Sequence, residues 1–142
     1  MESRIVTQTG EVWLAEDGII RIEIRNPREH TLQDAVESVD AVRRAGGGVR
    51  RPLLSRIAAP GPMTNEARAY YASEEAARAI TALAMVTNAV LGRIVANLLM
   101  GLSTTPIPMR LFRSENDALN WIRSAGLAPK DVSRFPASPP PA

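Results

Sequence analysis

The chain of 142 residues has no cysteine and a single histidine, His30. Without cysteine there is no disulfide framework, no thiol nucleophile and no thiolate metal site. One histidine makes a His-based metal cluster or a Ser-His-Asp triad hard to assemble. Aromatic residues make up only 4% of the chain, so the core must be built from Val, Ile, Leu, Ala and Met. An excess of one charge is also missing: 17 Lys and Arg face 15 Asp and Glu, a formal net charge of +2. That balance does not call for nucleic acid. Arg25, Arg28, Arg43, Arg44, Arg50 and Arg51 make the first half loosely basic. They read as a solvated face, because no aromatic residues or recognition motif interleave with them. The start, Met1-Glu-Ser-Arg-Ile-Val6, lacks a signal-peptide pattern, and a cytoplasmic location is the expectation.

What is present fits one globular domain: 45% of residues are hydrophobic and 23% charged. The organising stretch is residues 79–122. Its opening, residues 79–102, is apolar enough to suggest a membrane span, but Arg93 sits in the middle, with Asn88 and Asn97 on either side. A central Arg costs about 2.5–3.5 kcal/mol on insertion scales. Gly92 and the β-branched first half fit a strand followed by a helix better. We therefore read Ile80-Thr-Ala-Leu-Ala-Met-Val86 as a strand buried on both faces, in the middle of a sheet. A helix over 90–102, a strand over 107–112 and a helix over 115–122 should follow. Pro106 and Pro108 mark that later strand as an edge.

Upstream, residues 12–15 read as a strand, Glu16-Asp17-Gly18 as a hairpin turn, and Ile20, Ile22 and Ile24 as one buried face alternating with Arg21, Glu23 and Arg25. A short strand at Ile5 and Val6 would add to the hairpin. Thr31 is placed to cap a helix, with Asp34 returning the contact. Leu32, Ala35, Val36, Val39 and Val42 then form one apolar stripe at helical spacing. Gly46-Gly47-Gly48 ends that helix; no Gly-Lys-Ser/Thr follows, so it is not a phosphate loop. Residues 52–58 read as a second buried strand. Thr64 caps a helix over 65–78 that breaks near Ser73, and Ser114 caps the last one. A single domain over residues 1–126 is expected, with 127–142 a proline-rich disordered tail. The fold class is α/β, with a mixed, mainly parallel sheet made from a β-hairpin plus β–α repeats and helices packed on it.

This order resembles the STAS superfamily, in its stand-alone SpoIIAA-like branch. The resemblance is carried by Thr64-Asn-Glu-Ala-Arg-Ala-Tyr-Tyr71, Val90-Leu-Gly-Arg-Ile-Val-Ala-Asn-Leu-Leu-Met-Gly-Leu102, Pro106-Ile-Pro-Met-Arg-Leu-Phe112 and Glu115-Asn-Asp-Ala-Leu-Asn-Trp-Ile122. It implies a small non-catalytic domain that binds a protein partner, such as an anti-sigma-type kinase, or a small ligand. Regulatory members carry a phosphorylated Ser in an Asp-x-Ser-Gly motif. Here the matching segment is Ala58-Ala-Pro-Gly-Pro-Met-Thr64, so only Thr64 could stand in, and the phospho-switch is not expected.

In open α/β sheets, ligands and partners meet the loops beyond the C-terminal ends of parallel strands. That rule points to Thr64, Asn65, Thr87 and Asn88 as a partner or anion edge, although each residue taken alone reads first as structural, Thr64 and Asn88 as plain helix caps. Tyr70, Tyr71, Val90, Leu99 and Met100 supply more apolar surface than one sheet face requires. They are expected to form an interface, with a homodimer as the usual case, or to line a pocket for a small apolar, lipid-like ligand. Asp17, Asp34 and Asp117 sit in a turn and at helix starts, where Asp is common for structural reasons. His30 has no evident partner in the sequence. No cofactor, metal or catalytic residue is expected, and the chain reads as a non-enzyme.

Overall fold

The computed structural model describes residues 3–25, 28–58, 61–88, 92 and 107–125. Six strands form one sheet whose spatial order follows the chain: β1 (Ile5–Val6), β2 (Gly10–Leu14), β3 (Ile20–Ile24), β4 (Arg51–Ile57), β5 (Ile80–Val86) and β6 (Met109–Phe112). β1, β2 and β3 pair antiparallel, and β3 to β6 pair parallel. Four helices are described: α1 (Leu32–Ala45), α2 (Asn65–Tyr71), α3 (Glu74–Ala77) and α4 (Glu115–Ser124). The mixed α/β architecture is the expected one, with β5 interior and β6 at the edge.

Local chemistry sets most of these elements. Gly18 turns the β2–β3 hairpin at φ 81°, a left-handed conformation that glycine adopts without steric cost. The Asp17 carboxylate accepts from the Ile19 N–H at 3.0 Å and stiffens the turn. Thr31 and Asp34 complete a reciprocal capping box: the Asp34 N–H donates to Thr31 Oγ1 and the Thr31 N–H to Asp34 Oδ2. Thr64, Ser73 and Ser114 cap α2, α3 and α4 in the same one-sided way, each hydroxyl accepting from the N–H three residues on.

The sheet is covered on both faces, because successive residues of a strand point to opposite sides. Leu53 and Leu83 join Val12, Ile20 and Ile22 in one core, against Val39 and Val42 of α1 and Ala76 of α3. Their neighbours Leu54 and Ala84 face the other way, onto Ala118 and Ile122 of α4.

One expected feature is turned. Leu32 and Val36 are each 43% exposed instead of facing inward. The buried stripe of α1 runs through Asp34, Ala35, Ser38, Val39, Ala41 and Val42. At 100° per residue, a stripe centred on Ala35, Ser38 and Val42 puts Val36 about 130° and Leu32 about 90° from its middle, so both fall outside it. The helix buries the polar pair Asp34 and Ser38 in place of two apolar residues.

Candidate functional site

Two loops beyond the C-terminal ends of β3 and β4 are stitched together. The His30 N–H donates to the Pro62 carbonyl at 2.8 Å, and the Thr64 N–H donates to the His30 carbonyl at 3.0 Å. This short parallel bridge between His30 and Met63 places the imidazole, 7% exposed, beside the end of α2. There His30 Nε2 lies 2.6 Å from the Tyr71 hydroxyl, with ring centroids 5.5 Å apart.

The pair opens onto an apolar cavity of about 140 Å³ between the sheet and helices α1 to α3. Ile22, Leu53, Ile80, Leu83, Met85 and Met109 supply apolar wall. Arg28, His30, Ser38 and Tyr71 supply a polar corner. Arg28 donates to both oxygens of Asp34, at 2.9 and 2.6 Å, so its charge is matched by a fork-to-fork pair.

The electrostatics keep this corner neutral. Burial pulls the His30 pKa down; the Asp34 carboxylate opposes that and the Arg28 guanidinium adds to it. Burial pushes the Tyr71 phenol up, with the facing Ser38 hydroxyl acting against the rise. For Asp34, burial alone would raise the carboxyl, but the bonds from Arg28 and Thr31 outweigh it and hold the group below the usual carboxylate range. Ser38 is 3% exposed, and its Oγ faces the Tyr71 hydroxyl from the buried side of α1.

The expected site residues fall in several places. Thr64 and Thr87 stand beyond the ends of the neighbouring parallel strands β4 and β5, as the strand-end rule requires. Each is tied to a different neighbour, Thr64 to His30 and Thr87 through its N–H to the Phe112 carbonyl. The Thr64 hydroxyl is spent on capping α2, and Asn65 and Asn88 are exposed. Tyr70 and Tyr71 part company. Tyr71 enters the cavity, while Tyr70 sits on an open polar groove with Glu75, Arg43 and Asp40, where burial and a hydrogen bond with Glu75 raise its phenol pKa. Val90, Leu99 and Met100, and the helix expected over 90–102 apart from Gly92, lie outside the described residues, as does the stretch 126–142. His30 is the residue that sequence reasoning passed over. Its one legible signal was position, between the end of a strand and a helix cap.

Among the described residues, no group of three or more His, Asp or Glu is placed to hold a metal ion, and no helix is long and apolar enough to cross a membrane. A hairpin feeding four parallel strands, with α1 to α3 on one face and α4 on the other, is a SpoIIAA-like α/β fold. A crystal structure of an uncharacterized protein from the DUF3478 family with a SpoIIAA-like fold, from Shewanella loihica PV-4, matches it with a TM-score of 0.52 at 14% identity, over 85% of this chain and 91% of that one. At that identity the match speaks for fold alone. The chain itself belongs to the family described as Domain of unknown function (DUF7793), which matches residues 12–125. No curated protein matches it.

Proposed function

We propose that this chain is a non-enzymatic regulatory domain that binds a small apolar ligand beside His30 and Tyr71. The observation that carries this reading is the cavity, apolar along the sheet except for Ser55 and polar at one corner, the usual composition of a ligand site. Its volume of about 140 Å³ sets the scale of the ligand. Apolar cavities of about 150 Å³ hold benzene, whereas drug-sized ligands take roughly 300–1,000 Å³. The ligand is therefore a single ring or a short branched alkyl group, or the end of something larger, and not a whole enclosed lipid. The test is titration of the full chain with toluene, followed by amide NMR. Saturable shifts at Leu53, Leu83 and Met85 are expected. No shift at any of them would mean that the cavity is filled by the chain itself, and the reading would fall.

A protein partner is the second reading, favoured by Leu32 and Val36, which stand exposed one turn apart on α1. A second copy of the chain is the simplest occupant of that face; an anti-sigma-type kinase is what the STAS resemblance suggests. Sedimentation at several concentrations tests the homodimer. A monomer throughout would remove it.

A further inference from the structure

We infer that the ligand is neutral and carries a single hydrogen-bonding oxygen, which pairs with Ser55 on the sheet floor of the cavity. The class is a mono-oxygenated ring: a phenol, a small cyclic alcohol or a cyclic ketone. This rests on the reading of the cavity as a ligand site.

Ser55 stands inside β4 and is 3% exposed. In the sheet it pairs with Ile22 of β3 on one side and Met85 of β5 on the other. Leu53 and Ile57, two residues away in each direction along β4, share its face. All five line the cavity, and Ser55 is the one polar side chain that the described strands give it. Ser38 differs, because its Oγ is closed off behind the Tyr71 hydroxyl on the helix side. Among the described residues none takes up the Ser55 hydroxyl, which stands on the cavity floor.

A buried hydroxyl without a partner is costly, and native cores carry one where something completes it. A lone water is a poor partner here. A buried water needs roughly two to four polar groups around it, and the four neighbours of Ser55 are apolar. An oxygen on a small ring answers both demands: it bonds to Ser55 while the ring packs on Ile22, Leu53 and Met85.

The same surroundings exclude a charge. One hydroxyl cannot replace the hydration of a carboxylate or an ammonium. The charged groups of the polar corner are already matched, Arg28 donating to both oxygens of Asp34. A serine hydroxyl donates and accepts, so an alcohol and a carbonyl oxygen suit it equally.

The test titrates toluene, phenol and benzoate at pH 7 into the natural chain and Ser55→Ala, read by amide NMR. Phenol should weaken by about fivefold in Ser55→Ala, the loss expected of one hydrogen bond. Toluene should bind Ser55→Ala at least as well as the natural chain, which also shows that the variant keeps the cavity. Benzoate should bind neither. Without ligand, the thermal midpoint of Ser55→Ala should not fall, since the hydroxyl has no bond within the chain to lose. Unchanged phenol affinity in Ser55→Ala, benzoate binding as tightly as phenol, or a lowered ligand-free midpoint would overturn the role of Ser55 while leaving the cavity a ligand site. Failure of all three rings would overturn both.

Discussion

His30 Nε2 and the Tyr71 hydroxyl meet at 2.6 Å across 41 residues of chain. The contact joins the loop after β3 to the last residue of α2, and the His30–Met63 bridge runs alongside it. Tyr71→Phe removes one partner and leaves a buried imidazole nitrogen unpaired, so it should cost about 1–3 kcal/mol. Urea unfolding of Tyr71→Phe, His30→Leu and the double variant checks it. The double variant should lose less than the sum of the singles, since contacting groups couple by about 0.5–3 kcal/mol. Strictly additive losses would show that the two rings are mere neighbours.

Stability should fall in two steps as the pH is lowered. His30 has a folded pKa below its ordinary 6.5, chiefly through burial. The unfolded chain then binds the proton first, so stability is full above about pH 6.5 and declines from there down to the folded pKa. Asp34 is also depressed. Its contribution is present above the usual carboxylate value of about 3.9 and is lost as pH falls through the lower folded one. Chemical denaturation from pH 8 to 3 reads both. His30→Gln should flatten the first descent and spare the second; a first descent that survives in His30→Gln would assign it elsewhere.

Gly10→Ala should be among the most damaging single changes. A Cβ at Gly10 would stand 1.7 Å from the Glu23 carbonyl oxygen on the paired strand. That atom is backbone and cannot swing aside, so β2 and β3 must separate locally. We expect a loss above about 2 kcal/mol, at the upper end of ordinary point changes. A thermal midpoint within a degree or two of the natural chain would show that the hairpin adjusts freely.

Arg51 is a buried cation, 6% exposed, that bonds to carbonyls. Its Nε donates to the Gly46 carbonyl at 3.2 Å and an Nη leans on the Gly18 carbonyl at 3.5 Å. It therefore ties the end of α1 to the hairpin turn, at the negative pole of the helix dipole. Arg51→Met should destabilise by about 1–3 kcal/mol, because those carbonyls lose a charged donor. Arg51→Lys should recover only part, since an ammonium lacks the planar fork. Met and Arg of equal stability would reduce the side chain to packing.

The elements that were legible in the sequence are those whose physics is local. Asp17-Gly18 names its turn, Ile20, Ile22 and Ile24 name their face, and Thr31 with Asp34 names the helix start, because each signal lies within a few residues of its effect. The interior place of β5 followed from apolar residues facing both ways, and the edge place of β6 from Pro106 and Pro108 just before it.

The side of α1 that faces the core was decided only in three dimensions. The stripe of Leu32 and Val36 was apolar enough to be buried, yet the docking of Asp34 on Arg28, and of Ser38 on the cavity, turned it outward. Tyr70 and Tyr71, adjacent in sequence, ended in different environments for the same reason: consecutive helix residues point about 100° apart. His30 had no partner in sequence because Tyr71 is brought to it by closure of two loops onto neighbouring parallel strands. Hydrophobic periodicity records which face of an element is apolar. It carries no term for a hydrogen bond between side chains 41 residues apart, and such a bond, His30 to Tyr71, anchors the polar corner of the cavity.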